Sequence, residues 1–302
     1  PLSNPLSSRM LSPHDRIEQV LGRRPTSIAP LSGGCIAQVL RADFARGHDP
    51  VVVKLDSGPS PALDREAFML RYLAEHSRLP VPRVLASAPD ILILEFIEAG
   101  DPITPAAERH AAELLADLHS IRPPSPNDRR FGLERDTLIG PLDQPNLWTD
   151  SWVAFFRDHR LLHMAARARD AGNLPAPLTP RLERLAARLG ELIDEPAHPS
   201  LIHGDVWGGN VLCKGGRVAA FIDPAIAYAH AEQELAFTTL FSTFSRPFFE
   251  RYHELRPIPR GFADGPRPRR DVYNLYPLLV HAALFGGHYA AQVDATLRRF
   301  GF

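Results

Sequence analysis

The sequence predicts an α+β fold of two lobes, a small β-rich N-terminal lobe over residues 15–97 and a larger helical C-terminal lobe over residues 98–302. Short runs of valine, isoleucine and leucine with glycine turns dominate the first part of the chain. Amphipathic segments follow from about residue 100, and a single strand–turn–strand segment interrupts them near residue 200. Two unequal lobes predict a cleft between them, which is where a ligand site is expected.

The N-terminal lobe is predicted to contain several strands and one helix. The run SIAPLSGGCIAQVLRADF indicates two strands around a glycine turn, and PVVVKLD and DILILEFIE indicate further strands. Ser60 and Pro61 are residues that begin helices, and the apolar side chains of ALDREAFMLRYLAEH, which follows them, recur at helical spacing. Residues 1–14 lack such patterns and are expected to be flexible.

The C-terminal lobe is predicted to be mostly helical. The runs TPAAERHAAELLADLHSI, WTDSWVAFFRDHRLLHMAARARDAG and PRLERLAARLGELIDE indicate helices, and more are expected from about Gln233 onward. Between them lies VLCKGGRVAAFI, in which a glycine turn separates two strand-forming runs and predicts a β-hairpin. With Gly216 and Arg217 at its tip, Asn210 and Asp223 would lie opposite one another.

The bulk composition excludes several classes of protein. The chain has 302 residues, 44% of them hydrophobic, and a net charge of −1, which argues against nucleic-acid and membrane-surface partners. It has no apolar run of about 18 residues, so no transmembrane helix is expected, and its start does not resemble a secretory signal. With only Cys35 and Cys213 a disulfide framework is excluded, and a reducing cytoplasm is the predicted location.

The run HGDVWGGN places polar side chains in a glycine-rich loop beside apolar strands. Asp205 and Asn210 lie in this loop, and the hairpin returns Asp223 toward them. Carboxylate and amide oxygens are the ligands that Mg²⁺ prefers, with phosphates and water completing its shell. We therefore expect Asp205 to act as a base toward an alcohol, and Asn210 and Asp223 to hold Mg²⁺ beside a phosphate donor.

The N-terminal lobe offers an independent check on this interpretation. Lys54 closes a valine-rich strand, and Glu66 lies on the apolar stripe of the predicted helix. A carboxylate on a packed face needs a partner, and Lys54 is the natural one. Such a Lys–Glu pair on a strand and a helix is the arrangement that binds nucleotide phosphates in kinase chemistry.

Two further segments complete a predicted ATP site. Gly33 and Gly34 form a turn whose backbone N–H groups could approach a triphosphate. The strand ILILEFI would run into the hinge between the lobes, where main-chain groups of Glu95, Phe96 and Ile97 could bind adenine. ATP and Mg²⁺ are therefore the predicted cofactors.

Each signal alone has an ordinary explanation, since lysines close strands, glycine pairs make turns and Asp-Pro begins turns. Their order along the chain makes an accident improbable. His203 is expected to support the loop by hydrogen bonds rather than to titrate. Trp207 could be a core residue or could pack against a sugar-like substrate. Inert packing is favoured for Cys35, with a redox role that blocks ATP binding or links two chains as the alternative.

The runs SGGCI, LIHGDVWGGNVL, FIDPAIAYAHAEQELAFTTLF, FFERYHEL and RRDVYNLYPLLVHAALFGGHY together resemble the fructosamine kinase (ketosamine-3-kinase) family, from about residue 15 to the C-terminus. The third run is more specific than the catalytic loop, which aminoglycoside and choline phosphotransferases share. The resemblance implies a protein-kinase-like fold and ATP-dependent phosphorylation of the sugar 3-hydroxyl of ketosamines, free or protein-bound. The phosphorylated adduct then releases the amine, which makes the reaction a deglycation step.

The resemblance also implies roles for residues. It makes Asp205 the base and places His281 on the substrate side of the cleft. The run LFSTF departs from the family, which usually has glycines after LF, and YAHAEQE also differs, so the substrate pocket is the part in doubt. Two alternatives remain, an aminoglycoside- or choline-type kinase and a nucleotide-binding pseudokinase. A pseudokinase would not need the complete set of five polar residues, which are Lys54, Glu66, Asp205, Asn210 and Asp223. A monomer and a Cys35-linked dimer both remain open.

Overall fold

The structure is a computed structural model that describes residues 12–31, 38–125 and 129–302. The described chain divides into two compact units. The first comprises the described residues up to Phe68 together with Pro82–Phe96, and the second comprises Met69–Val81 and Ile97–Phe302. The division differs from the predicted lobes because residues 69–81 and Ile97 belong to the second unit.

Residues of the segment 69–81 belong to the second unit because they form hydrogen bonds with distant residues of that unit. The Tyr72 hydroxyl donates a hydrogen bond to the Tyr228 hydroxyl at 3.2 Å. The Phe221 N–H donates to the Pro80 carbonyl at 2.8 Å. These pairs are more than a hundred residues apart in sequence, so a boundary drawn from composition does not detect them.

A five-stranded antiparallel sheet forms the first unit, with the strand order β1-β2-β3-β5-β4. The predicted valine-rich strand is β3, at the centre of this sheet. A helix, α2 (Leu63–His76), begins after β3 as the sequence predicts and crosses from the first unit into the second. The strands are β1 (Ser27–Pro30), β2 (Gln38–Asp43), β3 (Val51–Leu55), β4 (Val84–Ala88) and β5 (Ile91–Glu95).

An additional helix, α1 (Pro13–Leu21), precedes the sheet. The prediction that residues 1–14 are flexible is therefore wrong at residues 12–14, which cap and begin this helix. Ser12 caps this helix, since its hydroxyl accepts from the Asp15 N–H at 3.2 Å. Ile17 is fully buried in the core cluster of the sheet. The Ser-Pro start of the helix is a signal from which it could have been predicted.

Helices make up most of the second unit. A π-helix (Phe156–Leu162) joins α4 to α5 within the segment that was predicted as one continuous helix. None of the helices within the described ranges is long and apolar enough to span a membrane. The helices are α3 (Pro105–Leu118), α4 (Trp152–Phe155), α5 (His163–Asp170), α6 (Leu178–Ala187), α7 (Ala231–Leu240), α8 (Arg246–Leu255), α9 (Arg269–Tyr273), α10 (Leu275–Phe285) and α11 (His288–Phe300).

Among the described residues of the second unit, three short antiparallel ladders lie between the helices and carry polar loops. The first precedes the π-helix in sequence, the second joins two strands on either side of the predicted hairpin, and the third is the predicted hairpin itself. The ladders are β6 (Thr137–Ile139) with β7 (Leu142–Gln144), β8 (Ser200–Ile202) with β11 (Ala227–Ala229), and β9 (Val211–Lys214) with β10 (Arg217–Phe221).

Candidate active site

The hairpin β9–β10 turns on two glycines. Gly215 and Gly216 have φ values of 58° and 73°, the left-handed conformation that a two-residue hairpin turn of this kind requires. Lys214 and Arg217 therefore form the first pair of the ladder. The predicted tip of Gly216 and Arg217 is wrong by one residue, because both glycines are needed inside the turn.

A bulge between Val218 and Ala220 then shifts the register by one residue in the opposite sense, which removes part of the difference from the predicted pairing. A difference of one residue remains because of the turn: the Ile222 N–H donates to the Asn210 carbonyl at 3.1 Å, and Asp223 is not opposite Asn210 as the sequence predicts. Asp223 comes one residue later, where the backbone leaves the ladder. The hairpin itself is confirmed and its register is corrected.

Asn210 and Asp205 are held together by hydrogen bonds. The Asn210 Nδ2 group donates to the Asp205 carbonyl at 2.9 Å and to its Oδ2 atom at 2.8 Å. These bonds fix the orientation of the buried amide, with Oδ1 on its other side as an oxygen that could bind a cation. His203 accepts from the Asp205 N–H through Nδ1 at 3.3 Å, which agrees with the supporting role expected for it.

The electrostatics of this loop favour a bound cation. Burial, together with the negative charge of Asp223, raises the pKa of Asp205 to about 8. In the described part of the chain no three His, Cys, Asp or Glu side chains gather into a metal cluster. The carboxylate of Asp223 and the amide oxygen of Asn210 fit Mg²⁺, which takes its remaining ligands from phosphates and water. The roles of Asn210 and Asp223 as metal ligands remain predictions.

A buried network that sequence reasoning missed supports the start of the loop. The Glu234 carboxylate accepts from the Gly204 N–H at 2.5 Å and from the His119 ring at 2.7 Å. The other ring nitrogen of His119 is bonded to the Tyr252 hydroxyl at 2.7 Å. Burial alone would raise the pKa of Glu234, but the bonds and charge of His119 and the Gly204 N–H lower it, so this carboxylate stays ionised.

Gly204 is required by its surroundings as well as by its conformation. Its φ is 87°, and a Cβ atom at this position would lie 2.1 Å from the Ala225 carbonyl oxygen. The segment before Asp205 therefore packs directly on the segment after Asp223. Only glycine permits this approach of the two backbones.

A pocket of the second unit brings Asp205 and His281 to one surface, with Gln233, Phe237 and Tyr276 also in its lining. The His281 Nδ1–H donates to the Pro277 carbonyl at 2.8 Å, which leaves Nε2 as the acceptor nitrogen of the ring. Burial lowers the pKa of His281, so the ring is neutral near pH 7. Its substrate role remains a prediction.

Trp207 is not a core residue, which removes one of the two interpretations offered for it. Its side chain is 42% exposed, and its ring lies edge-on to Phe241 with the centroids 6.4 Å apart. Phe241 in turn lies 4.9 Å from the His281 ring. An aromatic surface therefore extends from the HGDVWGGN loop to His281.

In the first unit the predicted ion pair is confirmed. The Lys54 Nζ atom lies 2.7 Å from Glu66 Oε1, and the two side chains are only 10% and 14% exposed. Lys54 pairs in register with Val39 and Leu92 on the neighbouring strands, which places it at the middle of the sheet. Its role toward phosphates remains a prediction.

The segment predicted to bind adenine is partly engaged by protein groups. The Glu95 N–H donates to the Arg83 carbonyl at 2.9 Å, so this N–H is already bonded. The Phe96 ring lies under the Arg41 guanidinium at 4.6 Å. Ile97 belongs to the second unit, and the role of this segment toward adenine remains a prediction. Gly33, Gly34 and Cys35 lie outside the described residues.

Comparison with known proteins gives consistent matches along the chain. The family model described as fructosamine kinase matches residues 11–300. A Synechocystis protein named "Probable ketoamine kinase" is 35% identical over 279 residues, which are 89% of this chain and 88% of that protein. A crystal structure of a candidate fructosamine-3-kinase from Thermobifida fusca has a TM-score of 0.80 and 31% identity, and the match covers 95% of this chain and 98% of that one.

A more distant match shows the fold alone. An aminoglycoside phosphotransferase, solved as a thermostable mutant with AMP-PNP and hygromycin B, is 18% identical with a TM-score of 0.64. That match covers 96% of this chain and 99% of the other. The fold is thus the protein-kinase-like α+β fold that the sequence predicts, and by family model, identity and coverage the chain belongs to the fructosamine kinase family.

Proposed function

We propose that the protein is a kinase that uses ATP and Mg²⁺ to phosphorylate the sugar 3-hydroxyl of ketosamines, as a deglycation activity. Family membership supports the reaction class. The observation that carries the proposal is the arrangement of Asp205, which is bonded to Asn210 and lines the same pocket as His281. A sugar hydroxyl in that pocket would meet a carboxylate acceptor beside a candidate metal site.

The side chains have distinct tasks in this proposal. Asp205 accepts a hydrogen bond from the attacking hydroxyl and orients it. It takes the proton as the oxygen bonds to the γ-phosphorus of ATP and the bond from that phosphorus to the leaving ADP breaks. When bound by Asn210 and Asp223, Mg²⁺ would neutralise charge on the phosphates. Since the transition state of phosphoryl transfer is loose, alignment by Asp205 matters more than its basicity.

Lys54 has a separate task toward the nucleotide. Its ammonium group is held by Glu66 at 2.7 Å in a mostly buried setting. The pair fixes the position of the ammonium group, as phosphate binding requires. Main-chain groups near Glu95 to Ile97 and the glycines at 33 and 34 are proposed to complete the ATP site.

The cellular setting is also a proposal. A reducing cytoplasm is favoured by the cysteine usage, and the described thiol, Cys213, is free and buried. Burial raises the pKa of the Cys213 thiol, which keeps it protonated and unreactive. Partners other than a ketosamine, free or attached to a protein, are not required by the proposed reaction.

The test is an ATP-consumption assay on a panel of glycated lysines carrying fructosyl, ribulosyl and erythrulosyl groups, free and within a peptide. We expect Mg²⁺-dependent turnover with at least one ketosamine, and a 3-phosphate by NMR. Asp205→Ala should reduce kcat by about a thousandfold or more while nucleotide binding persists, because the base acts on the acceptor. Asp170→Ala, which changes a side chain that is 60% exposed, is the matched control and should retain activity.

The same assay separates the rival functions. Turnover with an aminoglycoside or choline but with no ketosamine would favour a related small-molecule kinase. Nucleotide binding without turnover on any acceptor would favour a pseudokinase. Near-normal turnover by Asp205→Ala would show that the assignment of the base is wrong.

A further inference from the structure

The hairpin β6–β7 carries polar side chains into the core of the second unit. Thr137 is fully buried and Gln144 is 1% exposed. The Gln144 Nε2 group donates to Thr137 Oγ1 at 2.8 Å and to the Ala225 carbonyl at 3.0 Å, and Thr137 Oγ1 lies 3.3 Å from the Ile226 carbonyl, to which it donates. Since buried polar groups are costly unless bonded, these partners indicate what the hairpin supports.

The supported segment follows a strained residue. Asp223 has a φ of 54°, in the left-handed region that residues with a Cβ atom rarely adopt. Such a conformation persists only where neighbouring bonds enforce it, and it concentrates at functional sites. Ala225, two residues later, is bonded on both sides, because its N–H donates to the His203 carbonyl at 2.7 Å and its carbonyl accepts from Gln144.

A wider set of bonds fixes the orientation of Gln144. Its Oε1 atom accepts from the Tyr276 hydroxyl at 2.5 Å, so its Nε2 group is the one that faces Ala225. Thr137 Oγ1 also accepts from Asn146 Nδ2 at 2.8 Å, and Asn146 Oδ1 accepts from the buried Arg160 at 2.7 Å. Tyr276 lines the pocket that contains Asp205. A single polar cluster therefore contacts both the pocket wall and the segment after Asp223.

We propose that Gln144 and Thr137 are positioning residues that hold the left-handed backbone at Asp223, and thereby the direction of its carboxylate toward a nucleotide-bound metal. Neither side chain lines the pocket that contains Asp205, so both would act through Asp223. The inference rests on the proposed function, in which Asp223 is a metal ligand. It adds a hairpin about eighty residues earlier in the chain to the parts that this ligand needs.

The test measures the backbone and the ligand separately. Gln144→Met keeps the length of the side chain but removes its donors, and Thr137→Val removes the hydroxyl while keeping the shape. We expect hydrogen exchange of the Ala225 amide in the ligand-free protein to become about tenfold faster in both variants, as loss of a buried hydrogen bond predicts. The dissociation constant of Mg·AMP-PNP, measured by calorimetry, should rise by about the same factor.

Two further variants make the result specific. Thr137→Ser keeps the hydroxyl and should remain close to the wild type in both measurements. Tyr273→Phe removes a buried hydrogen bond from Trp152 Nε1, 3.1 Å long, whose two partners are not members of the cluster. This control should lower the melting temperature without changing exchange at Ala225 or binding of Mg·AMP-PNP.

The inference is overturned if Gln144→Met and Thr137→Val behave as Tyr273→Phe does, with lower stability but unchanged exchange at Ala225 and unchanged nucleotide affinity. Failure of the wild-type protein to bind Mg·AMP-PNP would instead contradict the proposed function. Exchange at Ala225 would then decide alone whether Gln144 and Thr137 hold this backbone.

Discussion

At the scale of single residues, the buried titratable groups of the second unit are fixed in one protonation state by what surrounds them. Glu234 stays ionised because two donors meet it, whereas burial keeps His230 neutral. Burial disfavours the charged form of both groups. Only the charge of Glu234 is compensated by bonds to protein groups, so the two groups reach opposite charge states. Such groups make stability depend on pH.

His230 provides a prediction about that dependence. Its Nδ1 atom caps α7 by accepting from the Glu232 N–H at 3.0 Å, and burial, with the charge of Arg269, lowers its pKa to about 3. The unfolded chain binds this proton below about pH 6.5, whereas the folded protein does not. The contribution of the buried, neutral His230 to the free energy of unfolding is therefore complete above about pH 6.5. It falls by up to about 1.4 kcal/mol per pH unit as the pH decreases toward the pKa of the folded state.

His230→Asn tests this, because asparagine also caps helices but does not titrate. Urea unfolding between about pH 7 and pH 4.5 should show that the free energy of unfolding of the wild type decreases as the pH is lowered. In the variant the decrease per pH unit should be smaller by the contribution of about one proton. Parallel curves for the two proteins would show that His230 is not the group responsible.

At the scale of elements, α8 takes its N-terminal cap from another helix. Its own Ser245 makes no side-chain cap, and Glu108 of α3 accepts from the Ser245 N–H at 3.0 Å, from the Ser245 hydroxyl at 2.9 Å and from the Phe248 N–H at 3.3 Å. Glu108 is only 6% exposed. A carboxylate at a helix N-terminus is favoured by both hydrogen bonding and the helix dipole.

Removing this tertiary cap should be costly. We expect Glu108→Ala to lower the free energy of unfolding by about 1–3 kcal/mol, since buried N–H groups lose their acceptor. Glu113→Ala is the matched control on the same helix: its partly exposed pair with Arg251 of α8 should contribute less than about 1 kcal/mol. Denaturant titration measures both, and equal losses would contradict the capping role.

Elements whose side chains alternate or recur locally could be predicted from the sequence, as β3, β5 and α2 show. The pairing of Lys54 with Glu66 could also be predicted from two local patterns. Lys54 closes a run of strand-forming residues, and Glu66 lies on the apolar stripe of a helix. The register of the β9–β10 hairpin could not, since a bulge between Val218 and Ala220 leaves no signal in a sequence of strand formers. The network of His119 and Glu234 joins residues far apart in the chain, which only the tertiary fold brings together.

At the scale of the whole molecule, ligand binding and folding are linked, so the proposed site should be visible in the stability of the entire chain. A ligand that binds only the folded state at about a hundred times its dissociation constant adds about 2.7 kcal/mol to the free energy of unfolding. Mg·AMP-PNP should therefore raise the melting temperature of the wild type by several degrees, whereas AMP-PNP with EDTA should raise it less.

Two variants divide this effect between the base and the metal ligand. Asp205→Ala should keep most of the shift caused by Mg·AMP-PNP, because its proposed partner is the acceptor hydroxyl. Asp223→Ala should lose most of the shift, because the variant lacks a proposed ligand of the metal that joins nucleotide and protein. Differential scanning calorimetry with and without EDTA makes the measurement. A shift in Asp223→Ala equal to that of the wild type would mean that the nucleotide is held without this carboxylate.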